Sequence, residues 1–240
     1  MITFVDGIDG SGKTTLIRHL AATLNRSGTE AAVFSPLWRY LPAIAAPEQF
    51  ASWVVSTPGM EVAEALITAM IDRLDDLRSL SVGQDRLYLV DRGPKTVYAS
   101  ARAQAHERPA ALEPLRRLLA VSVRALNDVQ PCVAIELDER EDALNVALPR
   151  LTPSQTVTPR YLTYLRSFAA EMHTGGDWPG LPTQRLEISS PIELNCAAAI
   201  ESLSLHATSN DASPSVTLDW LAEVPRQPNR DDANFRQRLP

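Results

Sequence analysis

The chain has 240 residues and a formal net charge of −6, with 23 basic and 29 acidic side chains. That length suits one α/β domain with additions, and the negative charge gives no general affinity for nucleic acid or anionic lipid. Its two cysteines, Cys132 and Cys196, are too few for a disulfide framework and lack the spacing of metal ligands.

The start of the chain leads directly into a strand pattern, which leaves no room for a signal peptide. No apolar run approaches the roughly 20 residues that a membrane span requires. We therefore expect a protein of the reducing cytoplasmic compartment, without a membrane partner.

The first predicted strand, residues 2–5, is followed by a glycine loop and an amphipathic helix that a glycine at position 28 can end. The loop matches the phosphate-binding pattern G-x-x-x-x-G-K-[ST] through Gly7, Gly12, Lys13 and Thr14. Backbone N–H groups of residues 10–13 can surround a β-phosphate, and the helix dipole adds positive potential there. In such loops the lysine reaches the β- and γ-phosphate oxygens and the hydroxyl binds Mg²⁺. The alternative is an ordinary glycine-rich turn.

A second strand is predicted at residues 31–34, then an irregular stretch with a short helix at 48–55, then a long helix at 60–80. On that long helix Asp72 lies opposite the apolar stripe, whereas Arg73 lies at its edge. A cation at such a border can face a cleft. The alternative for Arg73 is an ion pair with Asp72 or Asp76.

The third predicted strand, residues 86–91, ends in Asp91 and Arg92. Ligands of open parallel sheets collect at the carboxyl ends of the strands, so we expect this pair near the phosphate loop. A carboxylate there can hold a metal-bound water or accept a hydroxyl proton. The alternative for Asp91 is a simple strand-end cap.

The remaining chain continues the alternation of helices and strands. Helices are predicted at 95–105, 109–127, from about 139, at 160–173 and at 193–203, and strands at 132–137 and 184–188. The polar, proline-containing stretch 148–159 is a candidate lid. We expect an α/β domain over residues 1–205, with a parallel sheet of about five strands and helices on both faces. We expect residues 206–240 to form a C-terminal extension that is mobile unless it packs on the domain or a partner, with one short helix or turn around Trp220.

Several segments resemble one family. Residues 4–15, FVDGIDGSGKTT, strongly resemble the opening of thymidylate kinases, an apolar strand and an acidic residue followed by G-[IL]-[DE]-G-x-G-K-[ST]-T. Residues 65–73 are similar to its helix that ends in A-D-R, and 89–92 with Thr96 to its D-R-Y-x-x-S segment. Residues 135–138 and 160–161 are similar to the segments that flank its lid. The order holds to about residue 203, so the resemblance implies the fold of P-loop nucleoside and nucleotide kinases.

The resemblance also implies ATP and Mg²⁺ as cofactors, a small nucleotide-like acceptor and a homodimer. Arg73 and Arg92 would hold the acceptor, Asp9 its sugar hydroxyl, and Ser190 would lie beside adenine. The loop has Ser11 in place of an arginine, so Arg150 of the lid is the candidate for stabilising the transition state. By this resemblance the ATP site comprises Gly7, Asp9, Gly10, Ser11, Gly12, Lys13, Thr14, Thr15 and Ser190. The acceptor site comprises Asp9, Arg39, Arg73, Arg92 and Thr96. The catalytic groups are Lys13, Asp91, Arg92 and Arg150, and the Mg²⁺ ligands are Thr14 and Asp91.

The departures from the family lie on the acceptor side. The usual T-R-E-P-G after the second strand is FSPLWR at 34–39, where Arg39 is the candidate substitute for its arginine, and A-Y-Q is ASA at 99–101. We therefore expect an ATP-dependent kinase with dTMP as the first candidate acceptor. Two alternatives are the same chemistry on another hydroxyl, such as a nucleoside, a modified pyrimidine or a small natural product, and a non-catalytic nucleotide-binding regulatory module.

Overall fold

The computed structural model describes residues 1–81, 86–138, 143–151 and 157–208. Within them, five strands form one sheet in the order β2-β3-β1-β4-β5, and all neighbouring strands are parallel. The strands are β1 (Ile2–Gly7), β2 (Ala31–Val33), β3 (Leu87–Asp91), β4 (Cys132–Asp138) and β5 (Thr183–Glu187). The prediction of a five-stranded parallel sheet is confirmed.

Eight α-helices connect or follow these strands in the described residues. They are α1 (Lys13–Arg26), α2 (Phe50–Ser56), α3 (Gly59–Ser81), α4 (Pro94–Gln104), α5 (Glu113–Asn127), α6 (Ala143–Ala147), α7 (Pro159–Thr174) and α8 (Ile192–Thr208). Short 3₁₀ helices occur at Leu37–Tyr40, Pro47–Gln49, Pro109–Leu112 and Leu148–Arg150. None of the described helices combines the length and the apolar character needed to cross a bilayer.

The helices form a layer on each face of the sheet, as the sequence predicts. Phe4 of β1 packs into the core beneath α2, α3, α4, α5 and α7, whereas Val5 packs into the core beneath α1 and α8. Both side chains are completely buried. Adjacent residues of a strand point to opposite faces, so a strand buried on both sides is largely apolar.

The strand order determines where a ligand can bind. β1 lies at the centre of the sheet, where Val5 pairs with Asp91 of β3 on one side and Gly7 pairs with Leu137 of β4 on the other. β2 and β3 lie on one side of β1, whereas β4 and β5, which follow in the chain, lie on the other side. Ligands of open α/β sheets bind at this reversal, outside the carboxyl ends of the strands. The glycine loop and Asp91 therefore lie at the same end of adjacent strands.

Three predicted segments extend beyond the described residues. Of the candidate lid, Leu148–Arg150 forms a 3₁₀ helix, whereas residues 152–156 lie outside the described part of the chain. The helix predicted from about residue 139 is described from Ala143 onward. The extension from residue 209, with the short helix expected around Trp220, also lies outside it.

Candidate active site

The glycine loop connects β1 to α1 and is tightly packed from beneath. Gly7 has φ +144°, and a Cβ there would lie 2.8 Å from the carbonyl oxygen of Leu137. Gly10 has φ +82°, and a Cβ there would lie 2.5 Å from the carbonyl oxygen of Ala147. Only glycine fits these two positions without a backbone shift. The loop is thus held between the end of β4 and the end of α6.

Lys13 folds back over this loop. Its Nζ donates hydrogen bonds to the carbonyl oxygens of Gly7, at 2.9 Å, and Ile8, at 2.7 Å. Burial and the nearby Arg92 lower the pKa of Lys13, although the carboxylates of Asp91 and Asp9 oppose this. A buried ammonium bonded to two neutral carbonyls gains a stronger partner when an anionic oxygen reaches it.

Thr14 and Asp91 meet across the gap between the loop and β3. The Thr14 hydroxyl donates to Oδ2 of Asp91 at 3.0 Å. The other carboxylate oxygen, Oδ1, is buried and has no hydrogen-bond partner among the described residues. Hydroxyl and carboxylate oxygens are the ligands that Mg²⁺ prefers, and Mg²⁺ typically takes one or two of them from the protein. The pair therefore fits a Mg²⁺ ion, whose remaining ligands would come from phosphate and water.

Arg92, Asp9 and Tyr161 form a second cluster beside Lys13. Arg92 has φ +65°, and its Nη2 lies 2.5 Å from Oδ1 of Asp9. The Tyr161 hydroxyl donates to Oδ2 of Asp9 at 2.9 Å, so both oxygens of that carboxylate have protein partners. Burial alone would raise the pKa of Asp9, but the positive charges of Arg92 and Lys13 outweigh it and lower that pKa. Asp9 is thus an ionised group that fixes the guanidinium of Arg92.

Arg73 is completely buried, although the sequence pattern places it only at the edge of the apolar stripe of α3. Its Nη1 donates to the carbonyl oxygens of Asp91, at 2.8 Å, and Arg92, at 3.1 Å. These bonds support the left-handed backbone of Arg92. Burial lowers the pKa of Arg73 to about 10. Its Nε and Nη2 atoms are also buried, and neither has a hydrogen-bond partner among the described residues.

Thr96 lies behind the loop, within the protein. It is completely buried, its Oγ1 accepts a hydrogen bond from the Gly7 N–H at 3.0 Å, and its own N–H donates to Oδ1 of Asp6, also at 3.0 Å. The resemblance assigns Thr96 to the acceptor site, but the observed burial gives it a positioning contact to the loop.

Asp6 is a residue that the sequence analysis missed. Its Oδ1 accepts from the N–H groups of Gly93, at 2.8 Å, and Thr96, which ties the start of α4 to β1. Its other oxygen has no partner among the described residues, and burial raises the pKa of Asp6. A signal was available, because an acidic residue in an apolar strand is costly to bury without hydrogen-bond partners.

A buried ion pair lies next to Asp6 and was also missed. Lys95 Nζ is 2.6 Å from Oε1 of Glu136, and these side chains are only 8% and 2% exposed. Glu136 pairs with Asp6 in the sheet, and Arg185 of β5 contacts its Oε2 at 3.3 Å. A usable signal existed: Lys13 and Lys95 are the only lysines in the chain, and both are buried close to this loop.

The other predicted residues lie in the loop, on the first turn of α1 or outside the contacts described above. Arg150 is exposed and donates to the Ile188 carbonyl oxygen at 3.0 Å, so it lies beside the segment that carries Ser190. Arg39 is exposed above the Trp38 ring, at 5.6 Å from its centroid. Ser11 is buried within the loop and Thr15 is exposed on the first turn of α1. This conformation therefore does not bring Arg150 or Arg39 to the Thr14–Asp91 pair by any contact within the described residues.

Replacing Asp6 tests the positioning role of its oxygen. Asp6→Ala leaves the Gly93 and Thr96 N–H groups unbonded, so we expect the free energy of unfolding to fall by about 2–5 kcal/mol. Asp6→Asn keeps one accepting oxygen and should lose less than half as much. Urea titrations of both variants measure this, and an asparagine variant as unstable as the alanine variant would contradict it.

The raised pKa of Asp6 adds a pH dependence with a definite sign. A carboxyl whose pKa is higher in the folded than in the unfolded state favours folding at low pH, and this contribution is lost as the pH rises from 3.8 through the folded pKa. Asp6→Asn removes that titration. Its stability relative to the unsubstituted protein should therefore improve as the pH rises above 3.8 in the same urea titrations.

A scan against protein-family models and a search of curated protein sequences each found no match. The assignment of this site therefore depends on the residues and contacts described above.

Proposed function

We propose that the protein is an ATP-dependent phosphotransferase that uses Mg²⁺ and transfers the γ-phosphate of ATP to a pyrimidine nucleotide, with dTMP as the first candidate. The observation that carries this proposal is the 3.0 Å contact between the Thr14 hydroxyl and the Asp91 carboxylate, beside Lys13. A phosphate-loop hydroxyl paired with a carboxylate from a neighbouring strand is the arrangement that P-loop proteins use to hold Mg²⁺. If Asp91 were only a cap at the end of its strand, it would not need a buried oxygen without a hydrogen-bond partner, which its Oδ1 is.

Each group has a defined role in the proposed reaction. The N–H groups of the loop and the Nζ of Lys13 bind and orient the phosphates, while Thr14 and Asp91 would hold Mg²⁺. That ion neutralises negative charge on the phosphates when it is bound. Because phosphoryl transfer depends chiefly on positioning and charge neutralisation, these residues supply most of what the donor side requires.

The charges beside Asp91 support a phosphorylated acceptor. Arg73 keeps its Nε and Nη2 atoms unbonded, and a guanidinium binds phosphate oxygens in a bidentate manner. Arg92 is held by Asp9 next to it, which orients a second guanidinium without removing its remaining N–H groups. This arrangement favours a nucleoside monophosphate as acceptor.

Two observations favour the alternative of an acceptor without phosphate. The ion pair with Asp9 offsets the charge of Arg92, and Arg73 is completely buried in this conformation. A nucleoside, a modified pyrimidine or another small hydroxyl compound would need no free cation there. A non-catalytic regulatory module is the third possibility, and the joint presence of Lys13, Thr14 and Asp91 speaks against it. A cytoplasmic location and a homodimer remain proposals from sequence.

An ATP-consumption screen decides among these functions. Purified protein with Mg²⁺ and ATP is incubated with nucleosides, nucleoside monophosphates and modified pyrimidines, and ADP formation is measured for each. Efficient turnover of dTMP with no better acceptor supports the leading proposal, and turnover of an unphosphorylated compound supports the alternative. ATP–Mg²⁺ binding without transfer to any acceptor would support the regulatory reading.

Arg92→Ala should act mainly on the acceptor. We expect the KM for the acceptor to rise about tenfold or more, because a charge-assisted hydrogen bond contributes about 1.5–3 kcal/mol. The KM for ATP should stay close to its original value. Steady-state kinetics with each substrate varied in turn provide the test, and Arg166→Ala on the exposed face of α7 is the matched control. A rise in the KM for ATP alone would show that Arg92 does not bind the acceptor.

A further inference from the structure

A cavity of about 600 Å³ lies between the end of α2, the start of α3, the end of α4 and α7. Its volume is within the range of about 300–1,000 Å³ that is usual for small-molecule sites. The side chains used in the following argument are Val54, Met60, Arg108, Arg160, Tyr164 and Ser167, all of which line it. No residue of the glycine loop lines it, and neither do Arg73, Asp91 and Arg92.

Tyr164 separates this cavity from the proposed active site. Its ring lies against Tyr161, with the ring centroids 5.7 Å apart, and Tyr161 donates to Asp9. The Tyr164 hydroxyl is fixed by a 2.6 Å hydrogen bond with Ser100. The Tyr164 ring therefore lies between the cavity and Tyr161, and no residue of the phosphate loop would contact a molecule in the cavity.

The lining combines apolar and basic side chains. Val54 and Tyr164 are buried, and Met60 is partly buried. Arg108 and Arg160 are exposed, and neither forms an ion pair within the described residues. Glu107 contributes one negative charge, so the two guanidinium groups leave the lining with a net positive charge. Apolar walls with a few polar groups are typical of ligand sites, and guanidinium groups bind carboxylate, sulfonate or phosphate oxygens.

We propose that this cavity is a second binding site, which takes a small amphipathic anion with its apolar body against Val54, Met60 and Tyr164 and its acidic group between Arg108 and Arg160. The proposal does not depend on phosphoryl transfer by the neighbouring site. It concerns a ligand that occupies the protein together with a nucleotide.

The test uses 8-anilinonaphthalene-1-sulfonate, a fluorescent probe with an aromatic body and one sulfonate. It is titrated into the full chain with a saturating non-hydrolysable ATP analogue and Mg²⁺, so that the loop is not available to it. We expect saturable binding at one site. Ser167→Trp fills the cavity from α7 and should weaken binding at least about tenfold, a loss of 1.4 kcal/mol. The double variant R108Q/R160Q should also weaken it about tenfold by removing the charge-assisted bonds.

Two matched variants provide the controls. Ala170→Trp adds an indole to the exposed side of α7, and Arg124→Gln removes a guanidinium from α5, both outside the cavity. Each should bind the probe as the unsubstituted protein does. Thermal unfolding of every variant is measured because the probe also binds loosened proteins. If Ser167→Trp does not fold, the double arginine variant decides. Absence of saturable binding, or equal binding by the cavity and control variants, would overturn the proposal even if the protein proves to be a kinase.

Discussion

Lys13→Ala should abolish phosphoryl transfer while the protein stays folded. The Nζ of Lys13 is the cation held at the centre of the glycine loop, where it donates to two backbone carbonyl oxygens. Removing one preorganised charge of this kind from a transition state typically lowers kcat by about 10²–10³-fold. We expect a loss at or beyond the upper end of that range, because bound phosphates would then lack this buried charge. Rates of ADP formation with saturating substrates measure the effect.

The matched control for this variant is Arg18→Ala. Arg18 is exposed on α1, so its replacement removes one positive charge from the same helix without touching the loop. Its turnover should be unchanged, and circular dichroism should show both variants folded. Unchanged turnover in the Lys13 variant would refute the donor-site assignment.

Asp91→Asn should produce the second large loss, with a distinct dependence on Mg²⁺. Asparagine can still accept the Thr14 hydrogen bond, but it supplies no negative charge for a cation. We expect kcat to fall about 10²–10³-fold, in the range found when a preorganised electrostatic contact is removed. The Mg²⁺ concentration that gives half-maximal rate should rise as well, whereas a structural role alone would leave that concentration unchanged. A Mg²⁺ titration of ATP turnover separates the two.

Asp128→Asn is the control for this change. Asp128 is exposed at the end of α5 and carries the same charge, so its replacement should leave both the rate and the Mg²⁺ dependence unaltered. If the Asp91 variant keeps a normal Mg²⁺ titration, Asp91 is not a metal ligand and the strand-end cap becomes the better reading.

The fold could be predicted from sequence because its pattern is local. The apolar runs that became β1, β3 and β4 are buried on both faces, and such runs between amphipathic helices indicate a parallel sheet. The stripe of α3 predicted its limits to within one residue at each end. The lateral order of the strands was not predicted, because it depends on contacts between segments distant in sequence.

The site could be predicted where a sequence motif specifies the backbone geometry. The hydrogen-bond partners of individual side chains were less predictable. The loop glycines and Lys13 follow from one contiguous pattern. The helical wheel placed Arg73 at a border, but its burial depends on the carbonyl oxygens of Asp91 and Arg92, which a single-helix pattern cannot include. Asp9 likewise has both oxygens occupied by residues 83 and 152 positions away in the chain.

The missed residues share one property, which is that a polar group lies within an apolar element. Asp6 and Glu136 are next to each other in the sheet and are almost completely buried. A buried carboxylate requires partners, and these came from the start of α4, as N–H groups for Asp6 and as Lys95 for Glu136. Sequence indicates the need for such partners but not which segment provides them.

The most direct test of the donor site is a crystal structure with a non-hydrolysable ATP analogue and Mg²⁺. We expect the β-phosphate to be bound by the N–H groups of residues 10–13, the Lys13 Nζ to contact the phosphate oxygens, and Mg²⁺ to lie beside Thr14 and Asp91. A structure in which these N–H groups bind no phosphate and the nucleotide lies elsewhere would contradict the account.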